Sequence, residues 1–203
     1  EKVLVITCDG GGDGISATIS IGESGILKRI SHTTSEISLG KLYSRTAFLL
    51  GMKPNEHEYK IMGLAPYADQ QGLNKSIIVM NKLIDVNQEN LTFISKNQIL
   101  SNYCYEFLKN NLENHRFDWI AGAVQKITEE LLTKWITSAI KQTGIKKIAL
   151  AGGTFMNVKA NMKILNISDV EDIFIFPSCG DESVMIGAAY KKYQEFLTES
   201  NVE

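Results

Sequence analysis

Three glycine-bearing segments carry the residue types that hold phosphate and metal ions. The first is Asp9-Gly10-Gly11-Gly12-Asp13-Gly14, the second Ala151-Gly152-Gly153-Thr154-Phe155-Met156-Asn157, and the third Pro177-Ser178-Cys179-Gly180-Asp181-Glu182-Ser183. Glycines expose backbone N–H groups and let a phosphate approach closely, and a carboxylate at a strand end can hold a divalent cation. Each segment also has a plainer reading. Asp-Gly is the favoured pair of a tight hairpin turn, Gly-Gly suits any sharp strand-to-helix turn, and Asp181 can simply cap a helix. A fourth segment, Glu58-Tyr59-Lys60-Ile61-Met62-Gly63-Leu64-Ala65-Pro66-Tyr67, mixes large apolar residues with one lysine and two tyrosines. We read it as irregular chain that is either buried or lines a cleft, with Lys60 either meeting a phosphate as a point charge or simply solvated. His32, His57 and His115 have no metal-ligand spacing. No Walker, nucleophile-elbow or zinc pattern is present.

The elements that position these turns follow from periodicity. Residues 3–8 are a β-branched apolar run, residues 15–21 alternate apolar with small polar side chains, and residues 26–31 form a third short run, so the chain opens as an antiparallel meander. Residues 38–51 carry a helical stripe stopped by Gly51, and helices are expected over 72–84 and 98–112, with a short strand at 91–94. The repeat of Ile120, Val124, Ile127, Leu131, Trp135 and Ile140 predicts a long helix over 117–143, ended by Gly144. Strands at 147–151 and 172–176 alternate with helices at 154–164 and 182–197. Strand–helix–strand units with short strands imply parallel pairing and a right-handed crossover.

The order βββαβαβα therefore predicts an α/β fold: a mixed five-stranded, ribonuclease-H-like sheet of the kind that forms each lobe of actin-like ATPases. We place one such lobe over residues 1–203, with a helical insertion at about 52–116. In that sheet all three glycine turns fall on one edge, the carboxyl edge at which open α/β sheets bind ligands. Three converging turns, two of them acidic, point to a nucleotide site more strongly than any one alone.

Composition narrows the class. The 203 residues are 44% hydrophobic and 22% charged, with a net charge of -2, as for an ordinary globular domain. Near-neutral charge argues against a nucleic-acid or membrane-surface role. Cys8, Cys104 and Cys179 are widely spaced, which suits a reducing compartment, and no apolar run approaches the roughly 20 residues of a membrane span. The cytoplasm is the expected location. The chain starts at Glu1 without an initiator Met, and we expect a fragment of a larger protein.

Taken together, Asp9-Gly10 with its glycine loop, Leu42-Tyr43-Ser44, Pro54-Asn55-Glu56 running into EYKIMGLAPY, Gln125, AGGTFMN and GDESVMIGAA resemble the carbamoyltransferases of nodulation and antibiotic tailoring. These stretches run in the family's order from the first strand to the last helix, and EYKIMGLAPY is the most specific of them. The resemblance implies an actin-like fold related to the threonylcarbamoyl-adenosine synthesis proteins. It implies that carbamoyl phosphate and ATP yield a carbamoyl-adenylate, whose carbamoyl group passes to a hydroxyl of an acceptor. By that resemblance Asp9 and Asp181 lie near the metal and phosphates, and Gly152, Gly153 and Asn157 match the adenosine-side motif. Gly10, Gly12 and Gly180 give backbone approach, and Lys60 lies in the signature loop. The expected cofactors are ATP and a divalent metal: Mg or Mn by the carboxylates, Fe or zinc if histidines of an absent lobe complete the site.

Two departures are Asp13, where the family has Glu, and Ser183, where a small residue, commonly Gly, is usual. The family's earlier lobe, with a His-x-x-x-His metal motif, and its C-terminal carbamoyl phosphate domain are expected partners outside this chain. Weak nucleotide binding and no full turnover are therefore expected of the chain by itself. Two other readings stand beside this one: a non-catalytic scaffold module, favoured by Asp13 and Ser183, and a sugar- or acetate-kinase-like phosphotransferase lobe, which EYKIMGLAPY does not support.

Overall fold

The computed structural model describes residues 1–199. Strands β1 (Lys2–Gly12), β2 (Ile15–Glu23) and β3 (Ile26–Thr34) form the antiparallel meander, and β6 (Lys147–Ala151) and β7 (Asp172–Ile175) add in parallel on the free side of β1. The order β3-β2-β1-β6-β7 is that of the expected ribonuclease-H-like sheet. Alternation along β1 puts Leu4, Ile6 and Cys8 in the core, where Ala17 and Ile19 of β2 and Ile148 and Leu150 of β6 join them. Helix α1 (Leu39–Leu49) packs on β1 through Leu39, Leu42 and Ala47.

The long helix α5 (Phe117–Thr143) runs unbroken to Gly144, whose φ of 70° makes the left-handed cap that its position after the last periodic residue predicts. Residues 120–125 are buried on every side, because the segment between α1 and α5 packs against the helix opposite α1 and α6 (Val158–Leu165). Gly122 permits this: a Cβ there would lie 2.9 Å from the Ala68 Cβ and 3.0 Å from Leu73 Cδ1.

The intervening segment differs from expectation in two ways. EYKIMGLAPY is helical, not irregular: it forms α2 (Glu58–Leu64) and a 3-10 turn (Ala65–Tyr67), with Pro66 at the turn's start, where its missing N–H costs nothing. The segment also holds one strand more than the short one expected at 91–94. Between α3 (Gln70–Met80) and α4 (Tyr105–Leu112) lies a hairpin of β4 (Ile84–Asn87) and β5 (Thr92–Ser95). It is pinned to α5 by Trp135, fully buried, which packs at a tilt against Phe93 with ring centroids 4.9 Å apart and donates to the Leu91 carbonyl at 2.7 Å.

The closing helix α7 (Val184–Glu199) forms as expected but buries none of its residues. Val184, Met185, Tyr190 and Phe196 stay exposed because no described element covers them. No helix among the described residues is long and apolar enough to cross a membrane.

Candidate functional site

At the carboxyl edge of β1, β6 and β7 the three glycine turns meet. Strand β1 leaves its ladder after Cys8, and pairing with β2 resumes only at Gly12–Ile15, so three residues of β1 stand opposite Ser16 alone. The bulge frees Asp9, whose Oδ1 accepts the Gly11 N–H at 2.6 Å, while Gly11 itself takes a φ of 120°. Helix α1 is seated on this bulge. Its cap residue Ser38, fully buried, donates to the Asp9 carbonyl at 2.9 Å and accepts the Lys41 N–H at 3.0 Å. Gly40 completes the seat, for a Cβ there would lie 2.6 Å from the Asp9 carbonyl oxygen.

Gly152 ties the other two turns to the first. Its φ of 100° with ψ of 149° is open to glycine alone, and a Cβ would lie 2.4 Å from the Cys8 carbonyl oxygen. Its N–H donates to the Cys179 carbonyl at 2.8 Å. Gly153 starts a 3-10 turn (Gly153–Met156) and α6 follows, so the single helix expected over 154–164 is broken at Asn157. Asn157 caps α6 by accepting the Ala160 N–H at 3.1 Å. In the third turn Ser183 Oγ donates to the Gly180 carbonyl at 2.8 Å, closing a 3-10 turn headed by Asp181.

Burial pushes the Asp9 carboxyl above the usual carboxylate range, and the negative charge of Asp181 adds to it. The Gly11 N–H and the Lys41 ammonium pull the other way. Lys41 is the residue that sequence reasoning missed. Its Cε and Nζ run 3.5 and 3.8 Å from where a Gly10 Cβ would stand, an ordinary contact distance that places its stem against the Asp9–Gly10 bulge. Among the described residues it has no ion-pair partner. A lysine in the first turn of a polar-capped helix carries no sequence signal for this role.

The remaining expected residues divide. Asp9, Gly10, Gly152, Asn157, Gly180 and Asp181 belong to the three turns, and Gly153 stands exposed at the head of its own. Lys60 is not brought in: it is exposed on α2, lies 5.8 Å over its own neighbour Tyr59, and is not among the charges acting on Asp9. Gly12 and Asp13 close the hairpin beyond the bulge. Asp13 (φ 51°) and Gly14 (φ 78°) are the left-handed pair that a tight turn requires, and the Asp13 side chain is exposed at the tip.

Asn157 belongs to a polar quartet in which Tyr43 and Gln125 are buried and Asn157 and Glu129 half-buried. The Asn157 and Gln125 amides pair reciprocally at 2.9 and 3.0 Å, Tyr43 Oη donates to Gln125 Oε1 at 2.9 Å, and Gln125 Nε2 donates to Glu129 Oε1 at 2.7 Å.

The model of the carbamoyltransferase N-terminus matches residues 1–190. The chain belongs to that family. Among the proteins it resembles are an uncharacterized protein of Methanocaldococcus jannaschii, 30% identical over 93% of this chain and 36% of that one, and nodulation protein NolNO of Sinorhizobium fredii, 29% identical over 93% of this chain and 28% of that one. A tRNA N6-adenosine threonylcarbamoyltransferase of Kosmotoga olearia is 38% identical over 42% of this chain and 27% of its own. The chain spans about a third of the length of the curated relatives it matches. Component A of (R)-2-hydroxyglutaryl-CoA dehydratase from Acidaminococcus fermentans superposes on 87% of this chain and 56% of its own with a TM-score of 0.45 at 13% identity, too loosely to carry weight.

Proposed function

We propose that this chain forms the nucleotide-binding wall of an O-carbamoyltransferase in which ATP and carbamoyl phosphate yield a carbamoyl-adenylate that is consumed by an acceptor hydroxyl. The observation that carries the reading is Gly152. By bonding to Cys179 and packing on Cys8 it gathers the ends of three adjacent parallel strands into one edge, which leaves Asp9 within electrostatic reach of Asp181.

In this reading the chain supplies binding and charge rather than a nucleophile. Gly10, in the bulge, and Gly180 let phosphate oxygens approach closely, Gly152, whose own N–H is taken by the Cys179 carbonyl, holds the turns together, Asn157 meets the nucleoside, and Lys41 balances phosphate charge as a point cation. In the transfer step the acceptor oxygen bonds to the carbamoyl carbon, the bond from that carbon to the AMP oxygen breaks, and AMP leaves with the pair. The hydroxyl proton passes to a base that this chain is not asked to provide. Holding the adenylate in one orientation is the chain's contribution to rate.

Asp9 and Asp181 fit a divalent cation. A desolvated carboxylate beside a second one is a pair whose repulsion a cation relieves, and one or two carboxylates with phosphate oxygens are the ordinary protein share of a magnesium shell. Such an ion, when bound, neutralises charge on the phosphates. Among the described residues no group of three or more His, Cys, Asp or Glu is placed to hold a metal alone, so the rest of the shell comes from ligand, water or residues outside this chain.

The test is calorimetric titration with ATP, with and without Mg²⁺, of the wild type and Asp181→Ala, in this chain and in the full-length protein. Metal-dependent binding that Asp181→Ala removes supports the reading. ATP binding to the full-length protein that ignores both metal and the substitution overturns it. A melting temperature unmoved by ATP and Mg²⁺ in the full-length protein would leave the scaffold reading in its place.

A further inference from the structure

The polar quartet centred on the buried Gln125 has a polarity that can be read atom by atom. The atom of Asn157 that caps α6 faces the Ala160 backbone N–H, which can only donate, so that atom is the oxygen and the other is the nitrogen. The nitrogen faces Gln125 Oε1 at 2.9 Å, and the oxygen accepts from Gln125 Nε2 at 3.0 Å. Gln125 Nε2 in turn faces the Glu129 carboxylate at 2.7 Å, an acceptor that fixes the same orientation from the opposite end. Tyr43 Oη then donates to the second lone pair of Gln125 Oε1 at 2.9 Å.

Counting capacities, Gln125 uses both N–H groups and both lone pairs. It is 3% exposed, so it has nothing left to offer a ligand. Asn157 uses both lone pairs of its oxygen, on Ala160 and Gln125, and one of its two N–H groups. One N–H has no partner among the described residues.

We infer that Gln125, held by Tyr43 and Glu129, is a positioning residue that locks the Asn157 amide as a hydrogen-bond donor, so that the site selects its nucleotide by an acceptor atom on the nucleoside. This rests on the nucleotide reading above and adds to it a polarity: position 157 can donate and cannot accept. Adenine ring nitrogens and ribose oxygens are the acceptors that such a donor reads. The reciprocal amide pair gives the contact its direction, and the anchors at both ends oppose an amide flip. The flipped arrangement would set Asn157 Nδ2 against the Ala160 N–H and Gln125 Oε1 against the Glu129 carboxylate.

The experiment uses the full-length protein. Asn157→Ser keeps an oxygen able to cap α6 but replaces the amide N–H with a hydroxyl one bond too short to reach the amide nitrogen's position, and Gln125→Met keeps the volume while releasing the Asn157 amide. With ATP as substrate we expect KM to rise about tenfold or more in Asn157→Ser, the equivalent of one lost hydrogen bond to a buried partner, with kcat changed far less. Gln125→Met should raise KM in the same direction although its side chain touches no ligand.

Next, 1-deaza-, 3-deaza- and 7-deaza-ATP and 2′-deoxy- and 3′-deoxy-ATP are compared in wild type, Asn157→Ser and Gln125→Met. For the one analogue that lacks the acceptor, the wild-type advantage over both variants should collapse to about one. An advantage that persists undiminished across all five analogues overturns the inference, as does Gln125→Met with wild-type analogue discrimination. If the wild type neither binds nor uses ATP, it is the nucleotide reading that fails.

Discussion

A methyl group at Gly40 should destabilise the fold although it sits in a helix. By propensity alone, alanine in place of a helical glycine stabilises by about 0.5–1 kcal/mol. At position 40 the new Cβ would stand 2.6 Å from the Asp9 carbonyl oxygen, 2.7 Å from its carbon and 2.9 Å from the Gly10 nitrogen. All three are backbone atoms of the bulge and cannot rotate away, so the first turn of α1 has to lift. Overpacking of this kind costs about 1–3 kcal/mol. Lifting the turn also breaks the bond from Ser38 to the Asp9 carbonyl, worth about 1 kcal/mol. The net expectation for Gly40→Ala is a loss of about 1.5–3 kcal/mol.

Gly63 is the control: it is also helical, but a Cβ there meets nothing within 4 Å, so Gly63→Ala should gain by propensity. Urea unfolding followed by circular dichroism reads both. With a slope of about 2 kcal/mol per molar, the midpoint should fall by about 1 M in Gly40→Ala and rise by a few tenths in Gly63→Ala, with slopes unchanged. Midpoints that rise together would refute the claim that α1 is seated in contact with the Asp9 bulge.

Other consequences are as direct. Because the folded Asp9 carboxyl is raised by burial, its ionised form is a cost that appears as pH climbs from the unfolded value near 4 through the folded one; Asp9→Asn should melt above wild type at pH 7, the gap closing in acid, and a lower melting point at pH 7 would contradict this. Trp135→Phe removes the donor to the Leu91 carbonyl, but Ser31 Oγ still bonds that oxygen at 3.0 Å, so the expected loss stays near 1–2 kcal/mol in chemical denaturation. Burial raises the thiols of Cys8 to about 12 and Cys104 to about 11, and Cys179 is also buried with its thiol raised; none should react with a disulfide reagent at pH 8 until denaturant is added, and a fast native equivalent would count against this packing.

Much of this arrangement is legible in the amino-acid sequence. The meander, the parallel pair and the long helix declare themselves by period, and Gly144 marks its stop because only one residue type caps so cheaply there. The carboxyl-edge turns follow from strand direction alone. The signature segment was not legible as helix, since of its ten residues Ile61 is the one that is buried, and a single anchor gives no period. Of the β4–β5 hairpin the second strand was legible, as the run 91–94, but β4 escaped because it has four residues beside an expected helix end and its packing partner, Trp135, lies some forty positions away. The polar quartet was invisible for the same reason: Tyr43 and Gln125 are 82 residues apart, and a glutamine on a helix reads as solvated until the fold buries it. Lys60 drew attention because it sits in a specific motif, and the fold sets it exposed on α2, apart from the three turns. Lys41, in an ordinary first turn, took the place beside Asp9.

Helix α5 has a mechanical consequence. At about 1.5 Å per residue its 27 residues make a rod of about 40 Å, without proline, gripped by the sheet's helices on one side and by the signature segment on the other. A rod gripped along its length cannot serve as a hinge. Freedom is left only at its two ends, at Arg116 and at the left-handed Gly144, so the Asn157 turn and the signature segment travel as one body. Any closure over the glycine turns therefore has to be a motion of whatever faces this body, which acts as the anvil.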